Sequence, residues 1–414
     1  MPRRLVILGG GTAGTMAANR LRRELPDWDI VVVDRDNEHH YQPGYLFLPF
    51  GTYERDDLVR PRVRFLPDDV RLDYGDVDHV DTDSSTVHLV DGRTMPYDQL
   101  IIATGTHPTP EETPGMLGSG WNRDVFDLYS LDGAAALADA LATWQGGRLV
   151  VHVCELPIKC PVAPLEFAFL ADSHLRETGR RDQTELVYVT PLDGAFTKPV
   201  ASRELGGRLE ERAIHLEADF MVDTIDEDRK VLTSFDDREV AYDLLVTVPV
   251  NRGAAFVGRS GLGDELDHVK VDSATMQSTT ADNVFAIGDA ANLPTSKAGS
   301  VAHFAVDVFV DNFVDHVNGR PMHREFDGHA NCFIETGDNK AMMIDFNYDT
   351  QPLPGQYPLP RVGPFQLLKE SRVNHMGKLA FRWVYWNLLL PGRPMPLSSD
   401  MSMRGKIPEK EHAA

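Results

Sequence analysis

The chain has 414 residues, with 41 basic and 63 acidic side chains and a formal net charge of −22 at pH 7. A chain of this length predicts two or three domains, and its acidic charge argues against nucleic acid as a partner, because phosphates would be repelled. No apolar run approaches the roughly 20 residues that a membrane-spanning helix needs. Three cysteines cannot form a disulfide framework.

The stretch from residue 4 to residue 34 predicts a strand, a glycine loop, a helix and a second strand. Gly9, Gly11 and Gly14 stand in the GxGxxG spacing, and the second strand ends on an acid, Asp34, about 20 residues further on. Glycines let the backbone approach a pyrophosphate, the helix N-terminus attracts its charge, and the acid accepts hydrogen bonds from a ribose. The stretch therefore predicts a dinucleotide site. Its predicted contacts are Gly9, Gly11, Thr12, Ala13, Gly14, Asp34 and Arg35.

Two later motifs belong to the same site. A buried strand ends on Ala103-Thr104-Gly105, where the chain can pass close to the dinucleotide, and another ends on Gly288-Asp289, which places a carboxylate at a sheet's C-terminal edge. In this order the motifs indicate FAD. In flavoproteins the acid of such a Gly-Asp turn holds the ribityl chain of FAD, and Asp289 is expected to do the same here. Pro43 is expected beside the isoalloxazine ring and Lys297 near its pyrimidine end, with loop packing and a surface lysine as alternatives. The further predicted contacts are Pro43, Ala103, Thr104, Gly105, Gly288, Asp289, Lys297 and Gly299.

Residues 111–245 predict a second α/β unit that lacks a glycine loop. Between its first strand and the next helix, where a pyridine-nucleotide domain would carry a second GxGxxG, residues 154–164 contain prolines in place of glycines. Such a loop cannot wrap a pyrophosphate in the usual way, so one dinucleotide site is expected. A strand over residues 242–249 is expected to return the chain to the first domain. The predicted organisation is an FAD-binding domain at 1–110 and 246–320, a second Rossmann-like domain at 111–245 and a C-terminal region at 321–414.

Residues 378–390 combine aromatic and leucine side chains with the cations Lys378 and Arg382, and Arg393 follows them. This composition is typical of an interfacial helix that lies on a membrane surface. A dimer interface or an ordinary core helix would have a similar sequence, so both remain alternatives.

With these motifs the chain resembles the sulfide:quinone oxidoreductase family, within the FAD-dependent pyridine nucleotide-disulfide oxidoreductases. The resemblance runs from about residue 4 to about residue 395, and its most specific parts are residues 157–164, 296–299 and 332–335 and the aromatic C-terminal helix. It implies an α/β fold with two Rossmann-like dinucleotide-binding domains, as in glutathione reductase, and a C-terminal membrane-attaching region. It also implies oxidation of sulfide to sulfane sulfur or polysulfide through FAD, with electron transfer to a membrane quinone.

The resemblance gives roles to particular residues. Cys160 and Cys332 match the family's two redox cysteines, and Glu166 matches a glutamate that could accept a proton. Cys154 is an additional sulfur near the same loop, with a catalytic role or a simple packing role. A further cysteine that attaches the flavin in some members has no counterpart between residues 111 and 145, so the FAD is expected to be non-covalent. Weaker candidates for a quinone path are Lys378, Phe346 and Tyr348.

Sulfide oxidation needs an electrophilic sulfur and a two-electron acceptor. A disulfide or polysulfide bridge between Cys160 and Cys332 would supply the sulfur that hydrosulfide attacks. Lys159 and the N-terminus of the following helix are expected to lower the pKa of Cys160. From the residues alone, two unrelated buried thiols remain the alternative to a pair.

Other functions share parts of this pattern. A type II NADH:quinone dehydrogenase should carry a second glycine loop near residue 153. A flavocytochrome sulfide dehydrogenase subunit would usually be exported, whereas the first predicted strand begins almost at Met1 and no cleavable signal peptide is visible. A thiol and flavin sensor of sulfane sulfur, without quinone turnover, is the non-enzymatic alternative. We expect a cytoplasmic protein attached peripherally to the cell membrane, without a metal site, and leave open whether it is a homo-oligomer.

Overall fold

A computed structural model describes residues 2–360, 362–395 and 398–408. The helices in these ranges are α1 (Thr12–Glu24), α2 (Arg55–Leu58), α3 (Leu131–Thr143), α4 (Ala163–Glu177), α5 (Pro199–Glu211), α6 (Ala255–Arg259), α7 (Gly299–Val317) and α8 (Arg372–Val384), which continues into a π-helical turn at Tyr385–Leu389. Short 3₁₀ segments are Gln42–Phe50, Arg62–Phe65, Pro110–Glu112, Arg181–Gln183 and Gly288–Ala290.

The strands in the same ranges are β1 (Arg4–Leu8), β2 (Asp29–Asp34), β3 (Glu38–His40), β4 (Val59–Pro61), β5 (Arg71–Tyr74), β6 (Val77–Asp81), β7 (Thr86–Leu89), β8 (Thr94–Pro96), β9 (Gln99–Ile102), β10 (His107–Pro108), β11 (Val125–Asp127), β12 (Gly147–Val153), β13 (Thr184–Val189), β14 (Ile214–Glu217), β15 (Val222–Asp226), β16 (Val231–Ser234), β17 (Glu239–Ala241), β18 (Leu244–Val248), β19 (Asn251–Arg252), β20 (Val284–Ala286), β21 (Ala330–Gly337), β22 (Lys340–Phe346), β23 (Gly355–Leu359) and β24 (Gly363–Leu367).

The first sheet is parallel and has the strand order β20-β9-β1-β2-β5. β1 lies at its centre, with Val6 opposite both Val31 of β2 and Leu100 of β9. These residues are fully buried, which explains why the strands read as continuous apolar runs rather than alternating ones. β20 begins about 180 residues after the end of β9, the strand of this sheet that precedes it in the chain. The sheet is therefore built from two separated parts of the chain.

The second sheet is also parallel and has the order β11-β18-β12-β13-β14. Leu245 of β18 lies opposite Val150 of β12, so the strand that was expected to return the chain to the first domain belongs to the second sheet instead. An apolar strand reads alike in either sheet, because its partners are not encoded in its own periodicity. The chain crosses back only at β19, where Arg252 lies opposite His107 of β10.

Antiparallel strands form smaller sheets with the orders β6-β7-β8 and β15-β16-β17. β7 and β8 form a hairpin across the turn at Asp91-Gly92, with Val87 opposite Met95. Gly92 has φ +87, a conformation that favours glycine.

The C-terminal region contains the sheet β21-β22-β24-β23, against which α8 packs. Cys332 of β21 lies opposite Ile344 of β22, and β23 and β24 form a hairpin with Tyr357 opposite Phe365. The last described residues fold back onto this sheet. The buried ammonium of Lys406 lies 2.5 Å from Asp345 Oδ2, and Asp345 Oδ1 lies 2.8 Å from Nε2 of His329.

α8 is amphipathic. Ser371 caps its N-terminus by accepting from the Asn374 N–H at 3.0 Å. Val373, Met376 and Trp383 are exposed, and their spacing places them on one side of the helix, which we call the outer face. Within the described ranges, no helix has both the length and the hydropathy to cross a bilayer.

Candidate cofactor and cysteine site

The glycine loop between β1 and α1 has the backbone geometry that its glycines allow. Gly9 has φ +96, and its N–H donates to Val33 O at 2.8 Å. A Cβ on Gly14 would lie 1.9 Å from Gly9 O, so this close packing of α1 on the loop requires glycine. A Cβ on Gly11 would meet nothing within 4 Å, because that side faces open space at the N-terminus of α1.

Asp34 lies at the end of β2, beside the glycine loop. Its Oδ2 accepts from the Gly10 N–H at 2.6 Å and lies 2.6 Å from Nη1 of Arg62, a buried side chain that sequence analysis did not select. Its Oδ1 accepts from the Arg35 N–H at 2.7 Å. The Arg35 guanidinium itself is exposed and lies 2.8 Å from Asp76.

A cavity of about 330 Å³ brings the predicted motifs together. The residues predicted to contact FAD that line it are Gly9, Gly11, Thr12, Ala13, Asp34, Pro43, Ala103, Thr104, Gly105, Gly288, Asp289, Lys297 and Gly299. Cys160 and Glu166 line it as well, so the glycine loop and the cysteine loop open into the same space. The selected residues outside the lining are Gly14, Arg35, Cys154 and Cys332.

The lining residues fit FAD chemically. The open side of Gly11 leaves room for a pyrophosphate at a helix N-terminus, where N–H groups and the helix dipole attract it. Thr104 and Thr106 have buried hydroxyls that find no partner among the described residues, so each can bond a ligand. Lys297 Nζ donates to Asp289 O at 2.8 Å, which holds this cation beside the carboxylate expected to meet the ribityl chain.

Cys160 lies in the loop between β12 and α4 and has φ +49. Its N–H donates to Lys297 O at 2.5 Å, and its carbonyl accepts from Tyr129 OH at 2.9 Å and from the Ala163 N–H at 2.9 Å. The cysteine loop is therefore tied to the FAD side of the cavity, to the second domain and to the first turn of α4.

An ionic network lies beside Cys160. Nζ of Lys378, on α8, donates to Glu166 Oε1 on α4 and, at 2.9 Å, to Phe333 O. Phe333 directly follows Cys332 in β21. One ammonium therefore connects the helix that follows the first redox cysteine with the strand that carries the second.

Glu335 continues this network. Its N–H donates to Glu166 Oε1 at 2.6 Å, and its buried carboxylate lies 2.9 Å from Nδ1 of His375 on α8. Neither Glu335 nor His375 has a role predicted from the sequence, and Lys378 has only a weak one as a candidate for the quinone path. The partners are 40 or more residues apart in sequence, so no local pattern could have paired them.

Burial dominates the acid–base chemistry of the two cysteines. It raises the pKa of both Cys160 and Cys332 to about 12, with Glu166 adding to the effect and Lys378 opposing it. The expected lowering of the Cys160 pKa by Lys159 and the N-terminus of α4 is wrong in its net direction, because burial outweighs the Lys378 ammonium and the Ala163 N–H, which both favour the thiolate. When reduced, both residues are neutral thiols near pH 7.

Glu166 is fully buried, and this burial raises its pKa while the ammonium of Lys378 opposes the shift. The pKa of Lys378 is raised, because Glu166, Cys160 and Glu335 outweigh the burial that disfavours its charge. Glu166 Oε2 has no hydrogen-bond partner among the described residues. The carboxyl group therefore has one oxygen available to exchange a proton beside Cys160.

Cys154 is buried at the end of β12, away from the cavity lining. Its Sγ lies 3.6 Å from Thr247 Oγ1 and 3.8 Å from His152 Nδ1. Burial raises the pKa of Cys154 to about 11. This placement favours the packing role over a catalytic one.

The three weaker candidates for a quinone path lie in different places in the structure. Lys378 lines the cavity, whereas Phe346 and Tyr348 do not. Phe346 packs in the core, with Lys198 Nζ 5.1 Å from its ring centre. Lining residues that the sequence did not single out include His39, Arg62, Tyr129 and Tyr385.

Comparisons with known proteins bear on this site. The family model described as pyridine nucleotide-disulphide oxidoreductase matches residues 3–152. The mitochondrial sulfide:quinone oxidoreductase of Dictyostelium discoideum is 27% identical over 397 residues, which cover 94% of this chain and 86% of that protein. That of Mus musculus is 27% identical over 398 residues, with the same shares of 94% and 86%. The X-ray structure of the sulfide:quinone oxidoreductase from Aquifex aeolicus has a TM-score of 0.79 at 20% identity and covers 94% of this chain and 92% of that one.

These similarities confirm the resemblance inferred from the motifs. The structural likeness confirms an α/β fold with parallel sheets, and the family match together with the relatives confirms FAD as the cofactor. The chain is therefore an FAD-dependent oxidoreductase whose residues 3–152 match the pyridine nucleotide-disulphide oxidoreductase model and which is similar over nearly its whole length to sulfide:quinone oxidoreductases.

Proposed function

We propose that the chain oxidises sulfide to sulfane sulfur or polysulfide at Cys160 and Cys332 and passes the electrons through FAD to a membrane quinone. One observation carries this proposal. Cys160, Glu166 and Lys378 line the same cavity as the glycine loop and Asp289. A thiol, a carboxyl group that can accept a proton and a cation therefore line the space that fits the flavin. Sulfide oxidation through FAD needs such groups close together.

Two observations support the pairing of the cysteines. Cys332 is among the groups that raise the pKa of Cys160, and Lys378 acts on the pKa of both thiols. The same Lys378 ammonium donates to Phe333 O at 2.9 Å, which holds the strand of Cys332 beside the cysteine loop.

In the proposed reaction, hydrosulfide attacks Sγ of one cysteine in a Cys160–Cys332 disulfide. A new S–S bond forms, the bond between the cysteines breaks, and the other Sγ leaves as a thiolate with the electron pair. The ammonium of Lys378 stabilises that thiolate, and Glu166 accepts the proton of the newly bound sulfur. The sulfide sulfur has then lost two electrons, and the cysteine pair has gained them.

FAD, when bound, supplies the two-electron acceptor for the reduced pair, with the quinone as the final acceptor. The chain's own residues hold the cofactor: the open side of Gly11 receives the pyrophosphate, Asp34 the ribose and Asp289 the ribityl chain. We propose non-covalent attachment, because Cys160 and Cys332 serve the redox pair and Cys154 lies away from the cavity.

Peripheral attachment to the cell membrane through the outer face of α8 is part of the same proposal. Val373, Met376 and Trp383 leave 44%, 67% and 61% of their surface exposed, which is a large apolar area for one side of one helix. The opposite side of α8 carries Lys378 and Phe381 into the cavity lining. A quinone that leaves the bilayer beside α8 therefore needs to travel only the width of the helix to reach the site.

The cations expected to flank this helix are arranged differently. Lys378 points into the ionic network, and Arg382 Nη1 lies 2.8 Å from Asp57, with its guanidinium 4.4 Å from the ring centre of Tyr53. Arg393 is exposed and can meet a lipid headgroup. The proposed membrane contact therefore relies more on apolar area than on charge.

Anaerobic titration of the flavin absorbance tests the function directly. Sulfide should bleach the flavin, and a soluble quinone analogue should restore its colour. NADH should not bleach it at a useful rate, because a proline-containing cysteine loop stands between β12 and α4 in place of a second glycine loop. Rapid bleaching by NADH would instead support a type II NADH:quinone dehydrogenase, and bleaching by sulfide without reoxidation by quinone would support a sensor.

Cysteine variants test the redox pair. Cys160→Ser and Cys332→Ser should each lower sulfide-dependent quinone reduction by roughly a hundredfold or more, since either change removes half of the disulfide. Cys154→Ser, the matched control, should retain most of the activity because its buried sulfur lies against Thr247 and His152 of the second sheet and is not part of the proposed Cys160–Cys332 pair. Steady-state assays of quinone absorbance measure this, and substantial activity in Cys332→Ser would rule out the pairing.

A further inference from the structure

The segment at residues 385–392 lies along α1, the helix whose N-terminus faces the cofactor cavity. Tyr385 OH lies 2.7 Å from Thr12 Oγ1 in the first turn of α1. Farther along the helix, Asn19 Nδ2 donates to Leu390 O at 3.1 Å. Arg23 Nη2 donates to Pro391 O at 2.7 Å and to Gly392 O at 2.9 Å. The segment therefore holds α1 from its first turn to its last.

The bonds around Tyr385 form a chain with a definite direction. His39 lies between Gly10 O, 3.2 Å from its Nδ1, and Tyr385 OH, 2.8 Å from its Nε2. Burial lowers the pKa of His39 to about 3, so the ring is neutral and has one donor nitrogen. Because Gly10 O can only accept, Nδ1–H donates to it, and Nε2 accepts from the Tyr385 hydroxyl. The Tyr385 oxygen then accepts from the Thr12 hydroxyl.

This chain closes on the glycine loop itself, because it begins at Thr12 and ends at Gly10. Tyr385 is almost fully buried and also lines the cavity beside Gly11 and Thr12. The loop that must hold its shape around a pyrophosphate is thus fixed by a side chain about 370 residues away in sequence. Aromatic contacts fix Tyr385 in turn, with Tyr41 at 4.9 Å and Trp386 at 5.2 Å between ring centres.

We propose that residues 385–392 form a clasp that retains FAD, with Tyr385 as the positioning residue for the glycine loop. Without the hydrogen bonds of Tyr385, the glycine loop samples more conformations. FAD must then order the loop when it binds, which weakens the binding of FAD. The clasp concerns retention of the cofactor alone. It is independent of sulfide and quinone, so it can fail while the proposed function stands, and the reverse also holds.

Tyr385→Phe tests the clasp, because it removes the hydroxyl and keeps the ring. FAD should leave the variant roughly 5 to 150 times faster than the wild type, the range expected for loss of the two neutral hydrogen bonds with Thr12 and His39. The rise in flavin fluorescence after dilution measures this release. Tyr242→Phe is the matched control, since its buried hydroxyl has no hydrogen-bond partner among the described residues and lies in the second domain.

Arg23→Gln is a second variant, at an exposed position away from the cavity, that removes the bonds to the far end of the clasp. It too should release FAD faster. Thermal melting of each variant with and without FAD separates retention of FAD from general stability. The increase in melting temperature that FAD causes should be smaller in each variant than in the wild type. Unchanged FAD release in both variants, or equal losses of stability with and without FAD, would overturn the proposal.

Discussion

At the scale of single residues, Cys160 and Cys332 are buried thiols beside the ammonium of Lys378. Neutral buried thiols react slowly with oxidants and alkylating agents, because the thiolate is the nucleophile. The ammonium is nevertheless in place to stabilise a thiolate once disulfide exchange generates one. In the proposed reaction, the same arrangement would protect the reduced state and assist the exchange step.

The raised pKa values predict an unusual alkylation profile. With the pKa of Cys160 at about 12, the thiolate fraction of the reduced protein at pH 8 should be roughly 1000-fold below that of an ordinary thiol of pKa 9. Alkylation by iodoacetamide should therefore rise about tenfold per pH unit without levelling off near pH 9. Mass spectrometry of peptides containing Cys160 or Cys332 measures the alkylation rate at each pH, with glutathione as the reference thiol. A plateau below pH 9 would contradict the raised pKa.

The motif residues of the cofactor site could be predicted because their roles follow from local spacing. Gly9, Gly11 and Asp34 belong to one βαβ unit, where the turn and the strand end fix their positions. The Lys378–Glu166 pair could not be predicted, since the two residues are 212 positions apart and meet only when α8 packs against β21 and α4. The sign of the Cys160 pKa shift was missed for the same reason, because burial is a property of the assembled fold.

At the scale of elements, α8 has two distinct sides. Its composition correctly indicated a helix with aromatic residues and cations, yet the helix begins at Arg372, six residues before the predicted stretch. The Ser371 cap marks that start. Which cations face outward could not be predicted, because the ion pairs of Lys378 and Arg382 are made with distant parts of the chain.

The outer face of α8 predicts a defined loss of membrane binding. The double change Met376→Gln and Trp383→Gln should weaken binding to phospholipid vesicles by roughly tenfold or more, because it removes most of the exposed apolar area from this helix. Phe235→Gln is the matched control, an apolar side chain that is 70% exposed in the second domain. Vesicle flotation measures the bound fraction. Equal losses in the double variant and the control would exclude α8 as the contact.

At the scale of the whole molecule, a buried ionic cluster joins the second domain to the C-terminal sheet. Asp172 of α4 is 2.7 Å from Arg181 Nε and 2.9 Å from Arg212 Nη1, and its side chain is 2% exposed. Arg212 Nη2 also lies 3.2 Å from Asp338, in the turn between β21 and β22. Because α4 follows Cys160 and β21 carries Cys332, this cluster helps to set how the two cysteine-bearing elements meet.

Asp172→Asn should therefore destabilise the fold, because the cluster would keep the partly buried Arg181 and Arg212 without the buried carboxylate that balances them. Breaking a buried pair in this way costs about 3 to 5 kcal/mol. Urea denaturation of the FAD-free protein followed by circular dichroism measures the change. Asp132→Asn, at an exposed carboxylate paired with Arg55, should have little effect, and similar values for both variants would refute the assignment.

The apolar strands of the two parallel sheets could be predicted from the sequence, because strands that are buried on both faces are continuous apolar runs. The residue at which the chain returns from the second sheet to the first could not be predicted, since the apolar sequence of β18 is compatible with either sheet. The contact between Lys406 and Asp345 could not be predicted either, because nothing in the sequence around Lys406 indicates that this lysine is buried.

The position of α8 has a thermodynamic consequence. Its outer face is exposed, its inner side reaches the cysteine network through Lys378, and its extension holds α1 through Tyr385. A ligand that stabilises the docked helix at one of these places is an effector of the others. Linkage is reciprocal, so if a lipid surface slows the departure of FAD by strengthening its binding, FAD must strengthen adsorption to that surface by the same factor. Protein that has lost its flavin would then also leave the membrane more readily.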